Sequence, residues 1–280
     1  MTAPLPLPLP PRMPLHVFLI NLDRSADRLA RCAPILDGLG LSWERVPGIE
    51  GKQLGAARLA ALNPHPAPHG EWFRPLTPGE IGCFLSHLRC WQLIEERGLD
   101  CALVLEDDFN AHDVCSLQSL QTLADSATGA HPWDVLKLTR LRRHTTLVGA
   151  VGSAARVGVH GPTTPLELHA GGTGPEDGTA YLVSRRGAAK LTPQREHLLR
   201  PVDFELKHHW ERDLTVYSAS PDMFWQVGAD IAQSVIGDGR ASYRDFPPLR
   251  KAQVYLRKHR YHVRFWLANK LGLGRRKVLG

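Results

Sequence analysis

Cys101-Ala102-Leu103-Val104-Leu105 is a run of five apolar residues that gives way, with no turn residue between, to Glu106-Asp107-Asp108. A continuous apolar run of this length suits a strand buried on both faces, the kind that helices cover in an α/β sheet. In open α/β sheets, ligands bind beyond the carboxyl ends of the strands. Three adjacent acids at such an end repel one another unless water or a cation lies between them. Their hard oxygen donors suit Mg2+ or Mn2+, ions that commonly bridge to substrate phosphates. A solvated strand-end turn is the plainer reading of three acids taken alone.

The elements around this run follow the same plan. His16-Val17-Phe18-Leu19-Ile20 is a second buried-strand pattern, ending in Asn21-Leu22-Asp23-Arg24. Ser25 is placed to cap a helix carrying Leu29, Cys32, Ile35 and Leu36, which Gly38 and Gly40 stop. Ser42 to Val46 reads as the next strand, so the chain opens strand–helix–strand, the start of a parallel sheet. Residues 50–76, rich in Pro, Gly and His, read as a long surface loop of the kind that serves binding. Thr77-Pro78-Gly79-Glu80 combines a capping box with Pro at the first helical position, and predicts a helix to about Arg97. Asp134–Leu138, Thr179–Val183 and Leu214–Tyr217 read as further strands, and Ser184 caps a short helix to Leu191. Residues 145–178 read as hairpins or loops, and a helix from Pro201 is expected to continue through Trp210.

Charge separates the chain into unequal parts. The net charge is +6, yet no acid follows Asp245, and ten of the 34 Lys and Arg residues lie from Arg250 onward. The rest of the chain therefore carries fewer bases than its 28 acids. Five cysteines, an odd number with no CxxC, argue against a disulfide framework or a structural zinc site, and for reduced, mostly buried thiols. No apolar run reaches the roughly 18–20 residues of a membrane span. Residues 1–14 alternate Pro and Leu without a basic segment, and read as an extended, poorly ordered lead-in rather than a signal peptide. The organisation expected is this lead-in, a main domain over 15–245, and a basic tail over 246–280.

Five blocks in order carry a family resemblance. Asn21-Leu-Asp-Arg-Ser-Ala-Asp-Arg28, Gly79-Glu-Ile-Gly-Cys-Phe-Leu-Ser-His87 and Val104-Leu-Glu-Asp-Asp108 resemble the signature blocks of glycosyltransferase family 25, the family of lipooligosaccharide and lipopolysaccharide galactosyltransferases. Gly178–Ser184 with Gly187–Lys190, and then Pro201-Val-Asp203, resemble its later blocks. The resemblance covers about residues 15–210.

It implies a GT-A-like nucleotide-diphospho-sugar transferase fold, α/β with a mainly parallel central sheet flanked by helices. It also implies inverting transfer of a hexose, with galactose the best choice, from a UDP-sugar to a lipid-linked oligosaccharide or related cell-envelope glycan. The enzyme would then be cytoplasmic, at the inner face of a bacterial membrane. A catalytically silent relative that binds a nucleotide sugar or glycan is the alternative.

Roles for single residues follow from the resemblance. Asp108 is the first metal ligand for Mn2+ or Mg2+, and Glu106 or Asp107 is oriented toward the ribose or the metal. Asn21, Asp23, Arg24 and Arg28 leave the first strand on the same carboxyl edge; Arg24 and Arg28, four apart, meet phosphates or pair with surface acids. Asp203 is the base by its place in the matching block, with Glu80 and Asp177 as rivals. Ser86 and His87 stand as nucleotide-sugar contacts, against the reading of a hydrogen-bonded histidine. Tyr181 stacks on a base or sugar, or belongs to the core.

The tail has three readings. As a helix over 250–271, it sets Arg250, Lys251, Arg257, Lys258 and Arg264 on one side and Tyr255, Leu256, Val263, Trp266 and Leu267 on the other. Val254, Tyr261 and Phe265 intrude on the basic side. Such a helix suits an anionic membrane surface. The rival reading is a terminal helix docked on the body by its apolar face. Nucleic acid is the least favoured partner, since no accompanying motif supports it.

Overall fold

The computed structural model describes residues 14–64, 72–139, 145–154, 164–170, 178–193, 197–227 and 247–270. The lead-in and Asp177, the third acid considered as a base, lie outside these residues. The central element is an eight-stranded mixed sheet of order β2-β1-β3-β8-β5-β9-β7-β6. Its strands are β1 (His16–Asn21), β2 (Ser42–Pro47), β3 (Cys101–Glu106), β5 (Val135–Lys137), β6 (Thr146–Ala154), β7 (Thr164–Ala170), β8 (Ala180–Ser184) and β9 (Val216–Ser220). A two-stranded ribbon joins β4 (Phe109–Ala111) to β10 (Phe224–Gln226). β1 runs parallel to both β2 and β3, so Asn21 and Glu106 lie at one edge, as the apolar runs imply. β8 is inserted antiparallel between β3 and β5, which brings its start, Thr179, to the end of β3.

Alternation along the strands builds two cores. Val17 and Leu19 face one side with Leu103 and Leu105, under α1 (Ala26–Gly38) and α4 (Leu117–Asp125). Phe18 and Ile20 face the other with Ala102 and Val104, under α3 (Pro78–Glu96), α5 (Arg185–Leu191) and α6 (Val202–Lys207). Each strand residue is thus covered on its own side, which is why the runs are continuously apolar.

The start of α3 matches its sequence signature: the Thr77 hydroxyl accepts from the Glu80 N–H, and the Glu80 carboxylate accepts from the Thr77 N–H. Gly82 explains the glycine of its block. A Cβ there would lie 2.2 Å from the Ile49 carbonyl oxygen, so only glycine lets α3 approach the chain after β2 this closely.

Local expectations are corrected in four places. Ser25 occupies the cap position of α1 but makes no side-chain cap bond; the side-chain amide of Asn21 instead donates to its carbonyl. The stretch 50–76 is not a continuous loop, since it holds a 3-10 turn at Gly51–Gln53 and α2 (Ala56–Leu62). α6 ends at Lys207, short of Trp210. β9 begins later than Leu214.

The tail forms α7 (Pro248–Lys270). Two of the three residues that break its two-sided pattern, Tyr261 and Phe265, meet the body. Tyr261 is buried, with its ring 4.9 Å from Trp72 and 5.5 Å from His208, and its hydroxyl 3.3 Å from His208 Nε2. Phe265 packs 5.1 Å from His208 and 5.5 Å from Trp210. Tyr255, Leu256, Val263, Trp266 and Leu267 stay exposed. Docking and exposure thus coexist on one helix. No described helix is long and apolar enough to cross a membrane.

Candidate functional site

The acids at the end of β3 take three different environments. Asp107 is buried and fully engaged: its carboxylate accepts from Asn21 Nδ2 at 2.7 Å and from Arg28 Nη1 at 2.9 Å. Its carbonyl accepts from Arg31 at 2.6 Å. Asp107 therefore locks β1, β3 and α1 together. Asn21 Oδ1 in turn accepts from Arg45, which also pairs with Asp23. Arg24 pairs with Glu50 at 2.9 Å and remains exposed at the rim, like Asp23. Of the first block's residues, Asn21 and Arg28 are thus committed to internal bonds, and Asp23 and Arg24 lie outermost.

Asp108 differs. One oxygen accepts from Gln226 Nε2 at 2.8 Å, and its main-chain carbonyl accepts from Val227 at 2.7 Å, so the β4–β10 ribbon holds it. The other oxygen, Oδ1, is buried and has no hydrogen-bond partner. Burial first, and then the charge of Glu106, pushes its carboxyl up to about 7. A buried, unpaired carboxylate oxygen beside another acid is the environment that a divalent cation relieves. Asp108 and its neighbours fit such an ion.

Glu106 accepts from His87 at 3.0 Å. Burial drives its carboxyl up, but His87, Lys137 and Arg28 outweigh that and hold it below the ordinary carboxylate range. The bonds around His87 have a definite direction. The Trp91 indole can only donate, so the Tyr181 oxygen accepts from it at 3.0 Å. The Tyr181 hydroxyl proton then suits His87 Nδ1, 2.8 Å away, which leaves the Nε2 proton for Glu106. His87 and Tyr181 are fully buried. Tyr181 therefore belongs to the core and orients His87; no face of it is open to a base or sugar.

Asp203 stands at the start of α6, its carboxylate accepting from the Phe204 N–H at 3.0 Å. Burial pushes it up to about 6, against the pull of the Phe204 N–H and Lys137. The Cys83 thiol feels the whole group: burial first, then Glu106, Asp203 and Asp108, push it well up. Of these acids Glu106 lies 3.9 Å from the Cys83 thiol on α3, and Asp203 and Asp108 act on the same thiol from α6 and from the end of β3.

Two expected site residues have other duties. Glu80 is buried; it caps α3 and binds Arg74 with both oxygens, one at 2.6 Å, so it braces the helix start rather than acting as a base. Ser86 donates to the Gly82 carbonyl and accepts from the Ile49 N–H, both at 2.8 Å, and so fastens α3 to the chain after β2. Sequence reasoning passed over Lys137, buried at the end of β5 with its ammonium 5.0 Å from the Tyr181 ring. A lysine inside an apolar strand was the available signal, and Lys137 is the cation that balances Glu106 and Asp203. Gln226 carried no such signal.

An α/β sheet of this kind binds its ligand beyond the carboxyl ends of its strands, where these acids stand. A family model described as "Glycosyltransferase family 25 (LPS biosynthesis protein)" matches residues 14–206. Procollagen galactosyltransferase 1 of Danio rerio is 30% identical over 248 residues, covering 81% of this chain and 39% of that protein. A glycosyltransferase 25 family member of Drosophila melanogaster is 29% identical over 220 residues, covering 76% of this chain and 35% of its own length. "Probable inactive glycosyltransferase 25 family member 3" of Rattus norvegicus is 30% identical over 235 residues, covering 76% and 39%. The chain belongs to glycosyltransferase family 25, with a GT-A-like fold. It spans 35–39% of the length of these relatives.

Proposed function

We propose that this chain is an inverting hexosyltransferase that moves galactose from a UDP-sugar to a hydroxyl of a cell-envelope glycan. The observation that carries the reading is the buried, unpaired Oδ1 of Asp108 just beyond the carboxyl end of β3, which Glu106 closes. Asp108 with Glu106 would hold Mn2+ or Mg2+. Such an ion, when bound, stabilises charge developing on a departing diphosphate. Asp203 takes the proton of the acceptor hydroxyl; its raised carboxyl lies near the operating pH, as a general base requires. Lys137 steadies the ionised carboxylates, and Arg24 and Asp23 at the rim meet the nucleotide.

Galactose as the sugar draws support from the name of the Danio rerio relative, and an envelope glycan as acceptor from the family description. The acceptor assignment also leans on α7, whose exposed apolar residues and bases suit the anionic cytoplasmic face of a membrane, where lipid-linked acceptors are built. The test is release of UDP from a panel of UDP-sugars with Mn2+ and an oligosaccharide acceptor. Turnover with UDP-galactose that Asp203→Asn abolishes supports the reading; failure of every donor overturns it. The name of the Rattus norvegicus relative favours a second reading, a silent binder. Saturable UDP binding without turnover would select it.

A further inference from the structure

Cys83 and His87 lie four apart on α3, so their side chains share one face of the helix, and that face meets Glu106 at the end of β3. Cys83 Sγ lies 3.9 Å and His87 Nε2 3.0 Å from the same Glu106 oxygen, and all three donor atoms fall within 4.8 Å of one another. We propose that Cys83, His87 and Glu106 form a site for a thiophilic divalent cation of the Zn2+ class, with a fourth position open to water. This set shares Glu106 with the all-oxygen set proposed at Asp108 and differs from it through its sulfur and nitrogen donors.

The donor set decides between ions, and two of its three separations suit a tetrahedral one. With Zn–S of about 2.3 Å and Zn–N or Zn–O of about 2.0–2.1 Å, tetrahedral angles place sulfur and its neighbours ~3.6 Å apart and nitrogen and oxygen ~3.3 Å apart. The sulfur–oxygen and nitrogen–oxygen separations here are each within a few tenths of an ångström of those values. One sulfur, one nitrogen and one oxygen donor suit Zn2+, Co2+ or Cd2+, and suit Mg2+ poorly.

The outer shell is built to hold such a set. On metal binding Nε2 gives up the proton it donates to Glu106, and His87 switches to the Nδ1–H tautomer that a ligating imidazole needs; the Tyr181 oxygen, anchored by Trp91, then accepts from Nδ1–H in place of donating to it. Gly178 closes the other side: a Cβ there would stand 2.7 Å from the Glu106 oxygen and 3.4 Å from His87. Among the described residues, this is the one cluster of His, Cys and acid donors with such spacing. Cys32, Cys90 and Cys115 are buried elsewhere, and Cys101 starts β3 at its far end.

The test is titration of the full chain with Co2+ alone. A tetrahedral thiolate site gives intense visible bands and a near-ultraviolet sulfur-to-cobalt band. Cys83→Ser should abolish the sulfur band, and Glu106→Gln should weaken Co2+ binding at least tenfold. A wild-type spectrum without the sulfur band, or one that Cys83→Ser leaves unchanged, overturns the proposal. Independently of any variant, Zn2+ should slow alkylation of Cys83 but not of Cys101, as read by mass spectrometry; equal rates overturn it as well. No nucleotide or sugar enters these measurements, so their failure leaves the transferase reading intact, and a lack of turnover leaves the cobalt spectrum standing.

Discussion

Asn21 donates its side-chain amide to Asp107 at 2.7 Å, joining the carboxyl ends of the neighbouring parallel strands β1 and β3. The same amide also reaches the Ser25 carbonyl, so one side chain fixes the strand, the turn and the acid run. Asn21→Ala leaves the buried Asp107 carboxylate short of a donor. Removing one partner of a buried bond costs about 1–3 kcal/mol. Urea denaturation should show a loss in that range, with the slope against urea unchanged.

Asp108→Asn separates the two jobs of the acid run. The amide keeps the volume and a bond to Gln226, so the fold should persist. The anionic oxygen needed by a hard cation is gone. Mn2+ affinity should fall by more than the roughly 10–100-fold typical of losing an outer-shell partner. Calorimetry of Mn2+ with UDP measures this directly; unchanged affinity would remove Asp108 from the cation site.

Stability and turnover should respond to pH in opposite senses. Asp203 and Asp108 carry carboxyls raised to about 6 and about 7. Both lie above the unfolded value of about 3.9, so the folded chain binds more protons than the unfolded chain over that window. The stability they contribute is complete below about pH 4 and is lost as pH rises through 6 and 7. Glu106, held low, contributes stability above its unfolded value and loses it only in more acid solution, so it does not reverse this trend. His208, depressed to about 4, works in the opposite sense between about pH 4 and 6.5, but it is one group against two raised acids, so the net trend is still a decline. Thermal melts of the metal-free chain should therefore decline between pH 5 and pH 8, and less so in Asp203→Asn. Turnover needs ionised Asp203, so kcat/KM should rise with pH through about 6. In Asp203→Asn, kcat should fall by about 10²–10⁴, the usual worth of a general base.

What the sequence made legible tracks the range of the forces involved. β1 and β3 were readable because burial on both faces demands continuous apolar runs, and α3 because its cap is a local bond between Thr77 and Glu80. The order β3-β8-β5, with β8 reversed, was not readable, since no local pattern records which strand a chain returns to. The same limit divides the site. Asp108 and Asp203 can be named from their blocks, whereas the internal bonds of Ser86, and the choice between ligand and core for Tyr181, cannot be read from theirs. Their partners, Ile49 and Trp91, come from a separate segment and from one turn along α3 toward the core. Lys137 was overlooked because its meaning depends on acids distant in sequence.

The C-terminal helix offers a test in which two faces give two answers. Tyr261 is buried against Trp72, Phe204 and His208, and its hydroxyl meets a ring whose titration burial depresses to about 4. His208 Nδ1 donates to the Phe204 carbonyl at 2.7 Å, which leaves Nε2 to accept from Tyr261. Tyr261→Ala empties this aromatic cluster and should cost about 3 kcal/mol, the scale of truncating a buried ring. Because Phe204 follows Asp203 directly, kcat should fall as well, by loss of α6 positioning. Leu256→Ser with Tyr255→Ser alters only the exposed face and should leave melting and turnover on a soluble acceptor unchanged. Binding to vesicles rich in anionic lipid should drop in that double variant and should weaken with salt in the wild type. Equal pelleting of wild type and double variant would limit α7 to its role as a brace for α6.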